Sequence, residues 1–270
     1  HNQPVPTVIQ TNPLKITPAA LRQELEAAGA EVTPHPWLEG CFTVIGTGDL
    51  EKLPAFTEGR CTVQDAAARL VSLTAAPDRH ARVLDVCAAP GGKSFALAMD
   101  MADGGDILSC DVHPHKLKLI ESGAQRLGLR SIRTALADGR EPHAAWLGQA
   151  DLVVADVPCS GLGIIRKKPD IRYKNPSELS QLPPIQKAIL DNVCRYVRPG
   201  GVLVYATCTI LPEENEDQIA AFLTSHPEFE KTPFTLPGIG GCDGAVTLYP
   251  HRTGTDGFFI CRMRRSEATL

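Results

Sequence analysis

The sequence lacks several features that would place it in common protein classes. It contains no run of about 18 apolar residues, so it predicts no transmembrane helix. Its first residues lack the charged and then apolar pattern of a secretory signal. Its nine cysteines never form Cys-x-x-Cys, and their number is odd, which disfavours a zinc site or a disulfide framework. We therefore expect a protein of the reducing cytoplasm that has neither a metal nor a membrane partner.

Positive charge is also scarce. The formal net charge is −4, so any surface that binds nucleic acid must be local. The 270 residues are 43% hydrophobic and 21% charged, values that are typical of a soluble chain with one large or two modest domains. The sequence begins at His1 rather than at a methionine, so we expect a chain truncated upstream. The composition leaves the oligomeric state open, with a monomer as the expectation.

The most informative stretch is Val-Leu-Asp-Val-Cys-Ala-Ala-Pro-Gly-Gly-Lys-Ser, residues 83–94. Residues 83–86 form a short apolar run that predicts a buried strand of a parallel sheet. Pro90-Gly91-Gly92 ends that strand, and the residues from Ser94 onward predict a helix. A glycine turn before a helix presents unpaired N–H groups and the positive end of the helix dipole. The pattern therefore predicts a nucleotide-type site, with an ordinary strand-to-helix turn as the alternative.

Two other nucleotide-binding motifs are incomplete or absent in this sequence. A P-loop needs a glycine five positions before its Gly-Lys pair, and that position is Cys87. Gly-x-Gly-x-x-Gly is missing, which argues against a standard dinucleotide site. A P-loop ATPase remains as a weakened rival interpretation.

The remaining pattern predicts an α/β fold with a doubly wound, mostly parallel sheet, because strands and helices alternate from about residue 73. The predicted strands are residues 83–86, 106–111, 131–137, 151–156, 202–207 and 257–262. The predicted helices begin at residues 94, 113, 185 and 212, and the third of them ends at residue 197. Residues 1–72 predict a small α+β subdomain with helices from Thr17 and Gln64 and a strand at 41–45. We therefore divide the chain into residues 1–72 and 73–270.

Unusual residues follow several of these strands. Ligands of open α/β sheets bind beyond the carboxyl ends of the strands, so these residues are expected at one site. Asp111 ends the second strand, where an acid commonly binds a ribose diol, although it could instead cap the next helix. Asp138 lies in a turn after the third strand. Cys159 and Cys208 follow the fourth and fifth strands, and a buried structural thiol is the alternative for each.

These stretches resemble the RNA cytosine-5 methyltransferase family. Residues 85–93 match its first motif, and Thr207-Cys208-Thr209 is similar to its Thr-Cys-Ser, with Thr209 in place of serine. The Pro-Glu-Glu-Asn that follows in the family is present at 212–215, and the match covers about residues 60–262. Segments 164–171 and 256–259 look most like the bacterial Sun/Fmu/RsmB group, which methylates 16S ribosomal RNA. That group usually carries an N-terminal NusB-like domain, which this sequence lacks. Transfer-RNA enzymes share the core and remain an alternative.

The resemblance implies S-adenosyl-L-methionine as the cofactor. Asp111 would bind its ribose and Asp138 would lie beside its adenine. For Lys93, a solvated helix lysine is the alternative. The implied cofactor-binding residues are Cys87, Ala88, Ala89, Pro90, Gly91, Gly92, Lys93, Asp111, Asp138 and Asp156.

The resemblance also implies a covalent mechanism. Cysteine is a strong nucleophile, and its addition to C6 of cytosine would activate C5 toward the methyl group. We assign Cys208 as that nucleophile and Asp156 as an acid near N3. Cys159 follows proline at a place where amino-group methyltransferases commonly have Pro-Pro-Tyr or Pro-Pro-Phe, which points to carbon methylation. In the family this second cysteine assists release, whereas DNA enzymes use the cysteine at that place as the nucleophile.

A basic segment follows Cys159 directly. Its cations could contact phosphates and its tyrosine could stack on a base, and the target base would have to leave its stack. A solvated loop is the alternative, and a non-catalytic RNA-binding protein remains a rival for the whole chain. The predicted RNA-binding residues are Arg166, Lys167, Lys168, Arg172, Tyr173 and Lys174.

Overall fold

The computed structural model describes residues 6–164 and 168–268. The first four strands are β1 (Thr7–Thr11), β2 (Glu31–Pro34), β3 (Cys41–Ile45) and β4 (Cys61–Val63). The next five are β5 (Arg82–Asp85), β6 (Asp106–Asp111), β7 (Ile132–Leu136), β8 (Ala150–Asp156) and β9 (Val197–Thr207). The last five are β10 (Phe229–Lys231), β11 (Phe234–Leu236), β12 (Gly240–Cys242), β13 (Ala245–Leu248) and β14 (Phe258–Arg265).

Nine α-helices lie in the described part of the chain. They are α1 (Pro18–Ala27), α2 (Pro54–Thr57), α3 (Ala66–Ala75), α4 (Gly92–Asp100), α5 (Pro114–Leu127), α6 (Pro176–Leu179), α7 (Leu182–Val193), α8 (Glu216–Ser225) and α9 (Pro250–Thr253). Within residues 6–164 and 168–268, none of them has both the length and the apolar character needed to cross a membrane.

The large sheet has eight strands, and its main path runs β10-β14-β9-β8-β5-β6-β7. Strands β5 to β9 are mutually parallel, whereas β14 runs antiparallel to β9. Consecutive residues of β5 point to opposite faces, so Val83 packs in the core under α3, α4 and α5, and Leu84 packs in the core under α7. Both faces are therefore covered by helices, which confirms the predicted doubly wound, mostly parallel α/β fold.

The bounds of two predicted helices were wrong. The helix expected at 185–197 ends at Val193, and residues 194–196 form a 3-10 turn before β9. Val197 already pairs with Ala150, and Val202 with Leu152, so Pro199-Gly200-Gly201 bulges out of the ladder instead of ending a helix. The helix expected from Pro212 begins at Glu216, because residues 212–214 form a 3-10 turn first.

The N-terminal part is a four-stranded antiparallel sheet in the order β2-β3-β1-β4, with α1 and α2 packed on it. The predicted helix after Thr17 and the predicted strand at 41–45 are both present. The hydroxyl of Thr17 accepts a hydrogen bond from the Ala20 N–H at 3.2 Å, as an N-cap does. Strands β1, β2 and β4 were not predicted.

Helix α3 spans residue 72, where the sequence suggested a domain boundary. Its buried residues Ala67, Leu70 and Val71 belong to the core of the large sheet rather than to that of the small one. The division at residue 72 stays a proposal, and α3 is the element that the two parts share. Two side chains join them further: Arg126 of α5 and Asn12 after β1 bond to backbone carbonyls across the junction.

Candidate active site

The glycine turn lies between β5 and α4, as predicted. Gly91 has φ +112°, and a Cβ added there would lie 2.7 Å from the ring of Phe95. Both facts require glycine at this position. The Ala88 N–H donates to the Cys110 carbonyl at 2.8 Å, which ties the turn to the end of β6. The turn therefore lies close to two neighbouring strand ends.

Two adjoining clefts flank this turn and share Cys87. The first, of about 210 Å³, lies over the turn and reaches Asp85, Lys93 and Asp156. The second, of about 370 Å³, lies beyond β6 and β7 and reaches Asp111 and Asp138. Of the ten residues predicted to bind the cofactor, all except Gly91 line one of the two clefts. Five carboxylates line them, from Asp65, Asp85, Asp111, Asp138 and Asp156, together with three cations, from Lys93, Lys116 and Arg140.

The first cleft contains two acceptors that sequence reasoning missed. Asp85 Oδ1 and Gln64 Oε1 are buried and have no hydrogen-bond partner among the described residues. The other oxygen of Asp85 accepts from the Ser94 hydroxyl at 2.7 Å, and Gln64 donates to the Gly92 carbonyl at 3.1 Å. Burial raises the pKa of Asp85 to about 6. A ligand that brings a positively charged donor would satisfy both acceptors.

The second cleft combines apolar and acidic groups. Ile185 and Ile189 provide an apolar wall that could receive a flat ring. Asp111 also accepts from the His113 N–H at 3.0 Å, but His113 is itself the N-cap of α5, so Asp111 closes the turn before the helix and does not cap it. Asp111 lines the cleft. Asp138 is paired with Arg140, which lowers the pKa of Asp138 through its hydrogen bonds. The two clefts together suit an elongated ligand with an apolar ring, a diol and an ammonium group.

Lys93 and Asp156 form a buried ion pair next to the first cleft. The Lys93 Nζ donates to Asp156 Oδ2 at 2.6 Å, and only 15% and 25% of the two side chains are exposed. Burial alone would lower the pKa of Lys93, but the attraction of Asp156 outweighs it and raises that pKa. The alternative of a solvated helix lysine was therefore wrong. The pair can present an ammonium and a carboxylate to a bound base.

The two predicted cysteines meet beside this ion pair. The Sγ atoms of Cys159 and Cys208 are 3.1 Å apart, and the Cys208 N–H donates to the Cys159 sulfur at 3.3 Å. The hydrogen bond from Cys159 lowers the pKa of Cys208, and nearby Lys93 adds to this effect. The same bond, together with burial, raises the pKa of Cys159 well above its usual range. Cys208 is thus the more acidic thiol of the pair, and Cys159 is the one that keeps its proton more firmly.

The basic segment is described only in part. Predicted RNA-binding residues Arg166 and Lys167 lie outside the described residues. Lys168 and Arg172 are exposed, and the backbone of Tyr173 ends a 3-10 turn. Lys174 is also exposed, but its Nζ donates to the Ser160 carbonyl at 2.9 Å. The role of this segment in RNA binding stays a prediction, and Lys174 links it to the loop of Cys159.

Comparison with known proteins points to one family. The model of the family described as 16S rRNA methyltransferase RsmB/F matches residues 72–264. The probable ribosomal RNA small subunit methyltransferase B of Bacillus subtilis is 37% identical, with 98% of this chain and 61% of that protein covered. The ribosomal RNA small subunit methyltransferase B of Yersinia pseudotuberculosis is 36% identical, with 97% and 60% covered. The chain thus spans about 60% of the length of the curated relatives it matches.

Solved structures agree with this comparison. A methyltransferase homologue from Pyrococcus horikoshii is 28% identical and has a TM-score of 0.82, with 97% of this chain and 87% of that one covered. NSun6 from Pyrococcus horikoshii, solved with SFG, has a TM-score of 0.84 at 22% identity. This match covers 98% of this chain and 92% of that one, and shows a shared fold.

Proposed function

The chain belongs to the 16S rRNA methyltransferase RsmB/F family, and on this basis we propose that it methylates C5 of a cytosine in RNA of the small ribosomal subunit. The methyl donor is S-adenosyl-L-methionine. One observation supports this chemistry. Two thiols whose pKa values are shifted in opposite directions lie 3.1 Å apart beside a buried Lys–Asp pair. Family membership argues against the rival P-loop ATPase.

The clefts around the glycine turn fit the donor. Asp111 would hold the ribose, Ile185 and Ile189 would contact the adenine, and Asp85 with Gln64 would receive the ammonium group. When bound, the donor supplies an electrophilic methyl group on a sulfonium. Because Lys93 and Asp156 line the first cleft and also lie next to Cys208, that methyl group would face the base that the cysteines hold.

The proposed reaction starts at Cys208. Its thiolate adds to C6 of the target base and forms an S–C bond, so the electron pair of the C5–C6 double bond becomes available at C5. Asp156 and Lys93 stabilise the charge and hold the proton at the base edge near N3. After C5 has taken the methyl group, water accepts the proton of C5, and the electron pair of that C–H bond re-forms C5=C6. The C6–S bond breaks and returns its electrons to Cys208, and the Cys159 thiol assists that departure.

The test compares the two cysteines. We expect Cys208→Ala to abolish methylation and to form no adduct with RNA, because the step that activates C5 is gone. We expect Cys159→Ala to add to the base but release it slowly, so that an adduct resistant to denaturing electrophoresis accumulates in the presence of RNA and donor. Cys242→Ala, a substitution of a buried cysteine outside the site, is the matched control and should behave as the parent does.

The outcomes separate the alternatives. Bisulfite mapping of treated ribosomal and transfer RNA identifies the modified cytosine and decides between these two substrates. The reverse adduct pattern would assign nucleophilic attack to Cys159. Methylation by the parent with no adduct in any variant would contradict the covalent mechanism. A parent that binds RNA without methylating it would favour the non-catalytic rival.

A further inference from the structure

Glu214 is a buried carboxylate that the mechanism above does not use. It is 2% exposed, and it lies two positions before Glu216, the first residue of α8. Glu214 Oε1 accepts from the Ser160 N–H at 2.8 Å and from the Gln186 amide at 2.9 Å. Glu214 Oε2 accepts from the Ser160 hydroxyl at 2.6 Å. Three donors thus converge on one side chain, and two of them belong to the residue after Cys159.

The loop of Cys159 is fixed on both sides of the thiol. On the near side, the Gln186 amide donates to the Pro158 carbonyl at 3.0 Å. On the far side, the Ser160 hydroxyl bonds to that of Thr209 at 2.9 Å, and Lys174 donates to the Ser160 carbonyl. Without an acceptor at Glu214, the Ser160 N–H and the Gln186 amide would lose a partner in a buried place.

The neighbouring residue, Asn215, holds the loop of Cys208 through hydrogen bonds. Asn215 is fully buried, and its amide nitrogen donates to the Thr209 carbonyl at 2.9 Å. Its amide oxygen accepts from the Thr207 hydroxyl at 2.6 Å. Two consecutive residues therefore bond to the two loops separately, Glu214 to the loop of Cys159 and Asn215 to that of Cys208.

We propose that Glu214 is a positioning residue that sets the contact between the two thiols by holding the Cys159 loop in register with the Cys208 loop. This inference rests on the proposed function, in which Cys159 acts at release. Because Asn215 still holds the Cys208 loop when Glu214 is lost, addition to C6 is affected less than release. A displacement of about 1 Å of a reacting group can change a rate by roughly 100-fold.

The variants follow from the hydrogen bonds. Glu214→Ala removes the acceptor for all three donors. Glu214→Gln keeps an acceptor at Oε1, and its amide nitrogen can donate to the Ser160 hydroxyl, which then donates to Thr209. Glu213→Ala changes an adjacent, exposed glutamate and is the matched control.

The kinetic readout separates methyl transfer from release. We expect Glu214→Ala to slow multiple-turnover methylation by roughly 10- to 100-fold, with a much smaller loss in a single turnover and with accumulation of the covalent adduct. Glu214→Gln should restore most of the release rate that alanine loses. An equal loss of rate in multiple-turnover and single-turnover methylation, without an adduct, would mean general destabilisation and would overturn the inference.

A second readout needs neither RNA nor donor. Hydrogen peroxide oxidises two adjacent thiols to a disulfide, in which the thiols lose two hydrogens and the peroxide becomes two waters. We expect the Cys159–Cys208 cross-link, measured by mass spectrometry of peptides, to form several-fold more slowly in Glu214→Ala than in the parent or in Glu213→Ala. Equal rates would overturn the positioning role even if the parent methylates RNA. If the parent fails to methylate but the cross-link slows, the proposed function fails while the positioning stands.

Discussion

At the scale of single residues, Cys159 and Cys208 show how one side-chain type acquires two opposite characters. Cys208 receives a hydrogen bond from its partner and lies near Lys93, so its thiolate is favoured. Cys159 donates that hydrogen bond and is itself mostly buried, so its protonated form is favoured. The difference comes from geometry across the two loops rather than from either sequence motif.

This difference predicts a pH dependence of thiol reactivity. Only the thiolate is alkylated, so the rate for Cys208 in the parent should rise with pH around a midpoint below that of an ordinary cysteine. Cys159→Ala removes the donor that stabilises the Cys208 thiolate, so the pKa of Cys208 and the midpoint should move to higher pH. Cys159→Ser keeps a hydroxyl donor and should restore most of the shift.

The measurement is the rate of iodoacetamide labelling of the Cys208 peptide as a function of pH, followed by mass spectrometry. A midpoint that stays unchanged in Cys159→Ala would show that the thiol contact does not control the acidity of Cys208.

Much of the site was predictable from single residues at strand ends. Parallel strands bring their carboxyl ends to one edge, so Asp111, Asp138, Asp156 and both cysteines could be placed near the glycine turn in advance. Asp85 and Gln64 were missed for a physical reason. An acid inside an apolar strand pattern gives no periodic signal of its own, and the exposure of Gln64 to the cleft depends on how α3 packs.

At the scale of elements, the central parallel strands β5 and β8 were the easiest to predict, because each contains an uninterrupted apolar stretch. Strands β10 to β13 have three or four residues each, too few for an alternating pattern to stand out. Their pairing depends on partners distant in sequence. The bulge at Pro199-Gly200-Gly201 was missed because proline and glycine after a helical pattern indicate a helix end equally well.

The basic segment gives the prediction that belongs to this scale. We expect Lys168→Ala with Arg172→Ala to weaken RNA binding and to reduce the slope of log affinity against log salt by about 1–2, because each lost phosphate contact removes a released counterion. Donor binding should stay unchanged. The control pair is Arg130→Ala with Arg133→Ala. These two exposed cations lie at the start of β7, the last strand of the large sheet on that side.

Fluorescence anisotropy with a labelled RNA at several salt concentrations measures both quantities. Equal salt slopes for the parent and the Lys168/Arg172 double variant would show that these side chains face solvent and do not contact RNA.

At the scale of the whole molecule, Arg126 joins the small sheet to the large one. Its Nη1 donates to the Phe56 and Cys61 carbonyls at 2.7 and 2.8 Å, and its guanidinium lies 3.8 Å from the centre of the Phe56 ring. Asn12 adds a bridge from the other side, with bonds to the Gly59 and Leu127 carbonyls. Together with α3, these contacts join the two parts.

We expect Arg126→Ala to lower the free energy of unfolding by roughly 2–4 kcal/mol, because it removes charged hydrogen bonds and a cation–π contact. Arg126→Lys keeps the charge but loses the forked geometry, so it should cost less. Urea unfolding followed by circular dichroism measures both. A change below about 0.5 kcal/mol, within the range of ordinary surface substitutions, would contradict a joining role.

The charges that line the two clefts have a consequence for turnover. Five carboxylates face three cations there, so the surroundings of the glycine turn favour a ligand with positive charge. A sulfonium loses that charge when it gives up its methyl group and becomes a neutral thioether. The share of the attraction that the sulfonium provides therefore ends with the reaction, whereas the ammonium group proposed to bind at Asp85 and Gln64 keeps its charge. We therefore expect the spent donor to bind less tightly than a fresh one.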